Sequence, residues 1–308
     1  MTIFTRKMKI LVTGATGLVG KEICKLLLAN GDQVHYLTTS ESKIKNQENF
    51  KGFFWNPSAG IIDENCLIGV DAIIHLAGAS IAKRWTDTYK TEIVESRVLS
   101  ANLLFKTLKN NPHSVKQFVS ASAIGIYPDS LSNVYNEEFK DFNNSFLSNV
   151  VVKWEDAVNQ IERLKINVCK LRLGIVLSDK DGALPKIVLP AKYGFGAAFG
   201  SGKHFQSWIH IQDVANMFLF VLKNNLTGVF NAVAPNSVTN FEFSKQVSQT
   251  LKKPFFLPNI PKFIMKLMLG EMHTLLFESQ NVSSKKIQDQ GFIFKYSNLQ
   301  SALKNLLQ

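Results

Sequence analysis

The stretch Lys9-Ile10-Leu11-Val12-Thr13-Gly14-Ala15-Thr16-Gly17-Leu18-Val19-Gly20 decides the fold. Residues 9–13 form a short, β-prone apolar run that stops at a glycine turn, the pattern of a buried strand. From Leu18 onward Ile23, Leu26 and Leu27 fall on one helix face, and Asn30-Gly31 supplies a stop. Residues 33–38, QVHYLT, read as a second strand. Strand, glycine turn, helix and strand make a βαβ unit, which implies a parallel sheet and a right-handed crossover. In the turn, Gly14 permits the tight bend, Gly17 lets the backbone approach a pyrophosphate, and Gly20 lets the helix pack closely on the strand. Thr16, Leu18 and Val19 complete the loop, and the helix start offers unpaired N–H groups to an anion. The expectation is a nicotinamide dinucleotide site; the plain alternative is a structural turn.

The end of the second strand selects the cofactor. An acidic residue there would bond the ribose 2′-hydroxyl of NAD. Here Thr39 and Ser40 occupy that place and Lys43 follows. Hydroxyls and a lysine suit the 2′-phosphate of NADP, while Glu41 in the same stretch leaves NAD open.

The alternation continues along the chain. Strands are expected at 71–76, 117–120 and 167–173, with helices at about 88–110 and 154–164 between them. The whole reads as α/β, a Rossmann-type doubly wound parallel sheet over residues 1–180 followed by a smaller α/β substrate lobe over 181–308. Residues 181–206 are rich in glycine and small residues, a texture that suits a lid. A strand at 208–211, a helix at 213–223 capped by Asp213, a strand at 229–233 and an amphipathic helix at 298–307 follow.

Bulk properties narrow the partners. The 308 residues, 45% hydrophobic and 19% charged, are ordinary globular values. Cys24, Cys66 and Cys169 form no CxxC pair, which argues against a disulfide framework and a cysteine zinc site, so no metal is expected. The net charge of +11 comes from lysines scattered along the sequence, without a run of five or more. That pattern argues against a nucleic-acid partner. No apolar stretch reaches the roughly 18 residues of a membrane span, so no membrane partner and a cytoplasmic location are expected. A small molecule is the expected partner of a chain that is a monomer or a homodimer.

The chain resembles the extended short-chain dehydrogenase/reductase superfamily, and within it the epimerase-family branch with a small C-terminal domain, DUF1731. The resemblance rests on GATGLVG at 14–20, DAIIHLAGASIAKRW at 71–85, ESRV at 95–98, SASAIG at 120–125, GALPK at 182–186, SWIHIQD at 207–213 and GEM at 270–272. The DUF1731-like part falls at about 254–303. The resemblance implies a nicotinamide-dependent oxidoreductase or epimerase acting on a small carbonyl or sugar-like substrate. Leu76, Ala77 and Gly78 then approach the cofactor. The superfamily's serine matches Ser122, which binds the substrate oxygen. Its Tyr-x-x-x-Lys pair is missing, and Leu147 and Val151 fall where Tyr and Lys would stand. Tyr127, His210 and Lys153 are the substitute proton donors to weigh; the plain alternative for Tyr127 is turn packing and for Lys153 a solvated helix residue. Ser80, Arg84, Arg172 and Trp208 are candidate substrate contacts, and His75 reads as a satisfied core histidine. The alternative function is an inactive NADP-binding regulator or scaffold.

Overall fold

Residues 7–142 and 144–308 are described by a computed structural model of the chain. Strand β1 (Lys9–Thr13) runs through the centre of the molecule, with Ile10 to Thr13 all buried. It pairs in parallel with β2 (Gln33–Thr38) on one side and β4 (Ala72–His75) on the other. Beyond β2 lies β3 (Phe50–Asn56); beyond β4 lie β5 (Gln117–Ala123), β6 (Asn167–Leu173) and β7 (Gly228–Ala232). All of these are parallel. Two short antiparallel pieces, Asn46–Gln47 and Ile61–Ile62, finish the β3 edge.

The chain steps outward from β1 in one direction through β2 and β3, then restarts at β4 on the other flank. Ligands of open α/β sheets bind at the carboxyl ends of strands where the order reverses, here β1 and β4. Right-handed crossovers in opposite directions put helices on opposite faces. Helix α1 (Leu18–Ala29) packs with α5 (Ile211–Lys223), and α2 (Asp87–Asn110) packs with α3 (Phe146–Asn159). Strand β7 and α5 belong to this sheet although both lie after residue 180, so the chain leaves the first layer and returns to it.

The excursion builds a second core. Strands Ile175–Leu177 and Trp208–His210 pair in parallel. Around them α4 (Ala183–Lys192), α6 (Asn240–Thr250) and the last helix, Leu299–Leu307, bury Leu184, Val188, Phe243, Val247 and Leu303. Asn298 caps that helix by accepting the Ser301 N–H at 2.9 Å. Ten residues of the segment expected as a lid are helix α4. Part of its glycine-rich remainder is tied to the C-terminal part by Ile260 N to Ala198 O (2.8 Å) and Gly200 N to Ile260 O (2.9 Å).

Helix α5 starts two residues earlier than expected and has a different cap. His210 Nδ1 accepts the Gln212 N–H at 3.1 Å. Asp213 is buried and instead accepts the backbone N–H groups of Lys295 and Tyr296 at 2.8 and 3.0 Å. A short carboxylate fully inside the protein needs such partners, and the C-terminal chain supplies them. The three cysteines are free and buried, and burial pushes each thiol up to about 12.

Candidate functional site

The glycine loop joins β1 to α1 at the reversal point. Gly14 has φ +68°, and a Cβ there would lie 2.9 Å from the Leu76 carbonyl oxygen. A Cβ on Gly20 would meet Gly14 O at 2.2 Å, so helix and turn touch backbone to backbone. Gly17 donates to Gly14 O at 2.9 Å and begins α1, which has no side-chain cap and no acidic residue in its first turn. The first N–H groups of the helix are therefore open to an anion. That arrangement fits a dinucleotide pyrophosphate. Thr39 and Lys43 are exposed at the end of β2, and Ser40 lies between them with its hydroxyl 2.9 Å from that of Ser42.

The second wall is the end of β4. The N–H groups of Leu76 and Ala77 donate to Thr13 Oγ1 at 3.0 and 3.1 Å. With both lone pairs engaged, the Thr13 hydroxyl gives its proton to His75 Nδ1, 2.9 Å away. His75 Nε2 then faces the Ser100 hydroxyl at 3.4 Å. Burial, with the Arg97 charge added, pushes His75 down to about 3. It is a neutral peg that holds the Leu76–Gly78 turn. Arg97 lies against that turn, its Cζ 3.0 Å from the place of a Gly78 Cβ, and its guanidinium sits 5.1 Å from the Trp154 ring centre.

A buried polar network crosses the ends of β5, β6 and β7. Strand register sets Ser122, Arg172 and Asn231 side by side. The Ser122 hydroxyl donates to Glu155 Oε1 at 2.5 Å. Arg172 clamps Glu155 through Nε (2.9 Å) and Nη2 (3.0 Å), and its Nη1 donates to the Tyr127 hydroxyl at 2.9 Å. Tyr127 passes its own proton to Asn231 Oδ1 at 2.8 Å and stacks on Tyr135. Burial pulls the Glu155 carboxyl up, but the bonds and charge of Arg172 and the Ser122 hydroxyl outweigh it and hold it below the usual range. Burial raises the Tyr127 phenol despite Arg172.

The candidate residues thus separate. Ser122, Tyr127 and Arg172 meet in one network. Arg172 and Tyr127 spend their polar atoms inside it, which gives them a positioning place rather than an open one. Trp208 is fully buried in the second core with its Nε1 donating to Asn236 O, so it walls no pocket. His210 is also fully buried and stacks on Tyr296 with ring centres 3.8 Å apart. Burial pushes it down to about 4; Asn305 eases that shift, yet Nε2 makes no bond of hydrogen-bond length and angle. Leu147 and Val151 are buried apolar residues. Leu147 packs with Trp85 and Ile93, and Met272 and Leu275 close over this cluster.

Ser80 and Arg84 are exposed on the loop beside that cluster. The segment Gly270–His273 comes over it from the C-terminal part. Lys90 pairs with Glu271, and a Cβ on Gly270 would lie 3.9 Å from Arg84 Nε. Glu155, Asn231 and Arg97 were not singled out from sequence. Glu155 had a signal in its position four residues after Val151 in a helix, which places both on one face, and Arg97 had one in the stretch ESRV at 95–98; Asn231 had none.

Comparison with known proteins fits this geometry. Residues 10–232 match the NAD dependent epimerase/dehydratase family, and residues 260–306 match a domain of unknown function, DUF1731. The epimerase family protein SAR0825 of Staphylococcus aureus (strain MRSA252) is 36% identical over 96% of this chain and 98% of its own length. YfhF of Bacillus subtilis, also an epimerase family protein, is 34% identical over 97% and 98%. The human epimerase family protein SDR39U1, solved with NADPH, superposes with a TM-score of 0.83 at 30% identity, covering 97% of this chain and 99% of that one. With its glycine loop, its doubly wound sheet and its small C-terminal addition, this chain belongs to the NAD dependent epimerase/dehydratase family, in the branch that carries DUF1731.

Proposed function

We propose that the chain is an NADP(H)-dependent oxidoreductase of the extended short-chain type acting on a small carbonyl compound. The observation that carries the reading is the uncapped α1 N-terminus beneath a loop in which Gly14 and Gly20 leave no room for a Cβ. Thr39, Ser40 and Lys43 support the 2′-phosphate form, as does the NADPH in the human relative. Gly14 to Gly20 would hold the pyrophosphate, and Leu76 to Gly78 would flank it. A bound nicotinamide supplies or accepts a hydride at its ring. Ser122 orients the substrate oxygen through a lone pair, its own proton held by Glu155. Tyr127, Arg172 and Asn231 fix that carboxylate. Met272 and Leu275 exclude water from the apolar end at Trp85 and Leu147. We place the division of labour between a cofactor part, 1–180 with α5 and β7 returned to its sheet, and a covering part in the remainder of 181–308.

Leu147 and Val151 favour a second reading, a nucleotide-binding regulator without turnover. One experiment separates the two. NADPH and NADH are titrated by nicotinamide fluorescence, and quinones, aldehydes and sugar nucleotides are then offered while absorbance is followed. Turnover of any carbonyl that falls at least tenfold in Ser122→Ala supports the enzyme. Tight NADPH binding without turnover supports the regulator, and binding of neither nucleotide overturns both.

A further inference from the structure

We propose that the face built on the helix Lys262–Leu269 docks on an anionic membrane surface. This helix buries no residue fully. Met265 and Leu269, four apart and half-buried, are its inner stripe. Its outer stripe is Phe263, 71% exposed, and Leu267, 84% exposed. Ile264 and Met268 are exposed beside them, and Lys262 and Lys266 form the polar edge. Apolar residues all round a short surface helix, relieved only by lysines, suit the boundary between lipid headgroups and acyl chains.

The surface extends beyond the helix. Residues 193–199 run beside 254–260: a Cβ on Gly194 would lie 3.8 Å from Pro254, one on Gly196 would lie 3.6 Å from Phe255, and Phe199 bridges to Ile260. Tyr193, Phe195 and Phe256 are exposed on these two segments, the second of which leads into the helix. Exposed aromatic and aliphatic side chains in such number mark an interaction site.

Charge selects the partner. The stretches 182–212 and 243–270 contain no aspartate or glutamate, while the first holds three lysines and the second five. Lys192, Lys252, Lys253, Lys262 and Lys266 are exposed. Glu278 lies near Lys262 and Glu271 pairs with Lys90 just past the helix, but the lysines of the two stretches outnumber these acids, and a basic surface studded with aromatics is complementary to anionic headgroups, each nearby lysine adding to the attraction. The lysines looked scattered in sequence because the two stretches that carry them are about 30 residues apart and meet only in the fold.

The test is flotation of the full-length protein with vesicles of phosphatidylcholine alone and of phosphatidylcholine with about one-third phosphatidylglycerol. The protein is expected to float with the anionic vesicles only, and less as salt rises. Phe263→Ser with Leu267→Ser, and separately Lys262→Glu with Lys266→Glu, are expected to lower the floated fraction roughly tenfold. NADPH should raise the melting temperature of both variants as much as that of the unsubstituted protein, because neither pair of substitutions falls in the glycine loop at 14–20. Failure of the unsubstituted protein to float, equal flotation with neutral vesicles, or unaltered flotation of both variants overturns the proposal. So does a homodimer that the Phe263/Leu267 variant converts to monomer, since a second copy would then cover the face. RNA binding without vesicle binding overturns it too. None of these outcomes bears on whether NADPH binds.

Discussion

Arg172 grips Glu155 with two parallel hydrogen bonds, Nε to Oε1 at 2.9 Å and Nη2 to Oε2 at 3.0 Å, with both side chains inside the protein. Removing one partner of a buried pair leaves an uncompensated charge, at a cost of about 3–5 kcal/mol. Arg172→Met should therefore lower the urea midpoint steeply, and adding Glu155→Leu should recover much of the loss. A single variant within about 1 kcal/mol of the starting protein would show that the carboxylate finds another partner.

Acid should weaken the fold in two stages. His75 and His210 are held down at about 3 and about 4 by burial. In the unfolded chain a histidine titrates near 6.5. As pH falls below about 6.5 the unfolded chain takes up these protons first, so stability falls with pH in that window. Glu155 adds the second stage. Its folded pKa is depressed, so its stabilisation is present above its unfolded value near 4.3 and is lost as pH drops further, through the folded value. Urea titrations from pH 7 to pH 3 should give a falling free energy, with a shallower slope between pH 6 and 4 for His210→Gln. A flat profile for the unsubstituted protein would contradict the histidine burial.

The loop Gly14–Gly20, the order of βα units and the final helix were legible because each is a local pattern. Apolar period, glycine placement and caps are written in adjacent residues. The network at Ser122 was only partly legible. Ser122 and Arg172 come from strands that register pairs only after folding, and Asn231 arrives from a third strand after an excursion through the second core. Trp208 and His210 were expected at a pocket because the family resemblance sets the stretch 207–213 against the substrate. In the fold the second core closes over Trp208, and Tyr296 stacks on His210 from more than 80 residues away. The cap of α5 was misplaced onto Asp213 for the same reason, since the donors that hold it come from Lys295 and Tyr296.

The loop glycines should fail in different ways. At Gly20 an added methyl meets Gly14 O at 2.2 Å, a backbone atom that cannot swing aside. Overpacking of this kind costs about 1–3 kcal/mol, so Gly20→Ala should lower stability and abolish NADPH binding together. At Gly17 the methyl meets only Gly14 O, at 3.2 Å, and its other surroundings are open. Gly17→Ala should keep most of the melting temperature while weakening NADPH at least tenfold, because the methyl would stand where the proposed reading brings in the pyrophosphate. Thermal melts with and without NADPH check both. Equal losses of stability at the two positions would mean that the loop matters to the fold alone.

On the proposed reading, cofactor choice is made at the end of β2. Ser40 is half-exposed and its hydroxyl faces Ser42, so a carboxylate there disturbs little of the fold. Ser40→Asp places a negative charge where the 2′-phosphate would sit and an acceptor where a ribose 2′-hydroxyl would sit. NADPH affinity should drop at least tenfold, about 1.4 kcal/mol, while NADH affinity holds or rises. Lys43→Ala should weaken NADPH less, since an exposed lysine on a flexible stem contributes in high dielectric. Fluorescence titration of both nucleotides against both variants measures the switch. An unchanged preference for NADPH in Ser40→Asp would place the 2′-phosphate elsewhere, and the next residues to substitute would be Thr39 and Ser42 on the same turn.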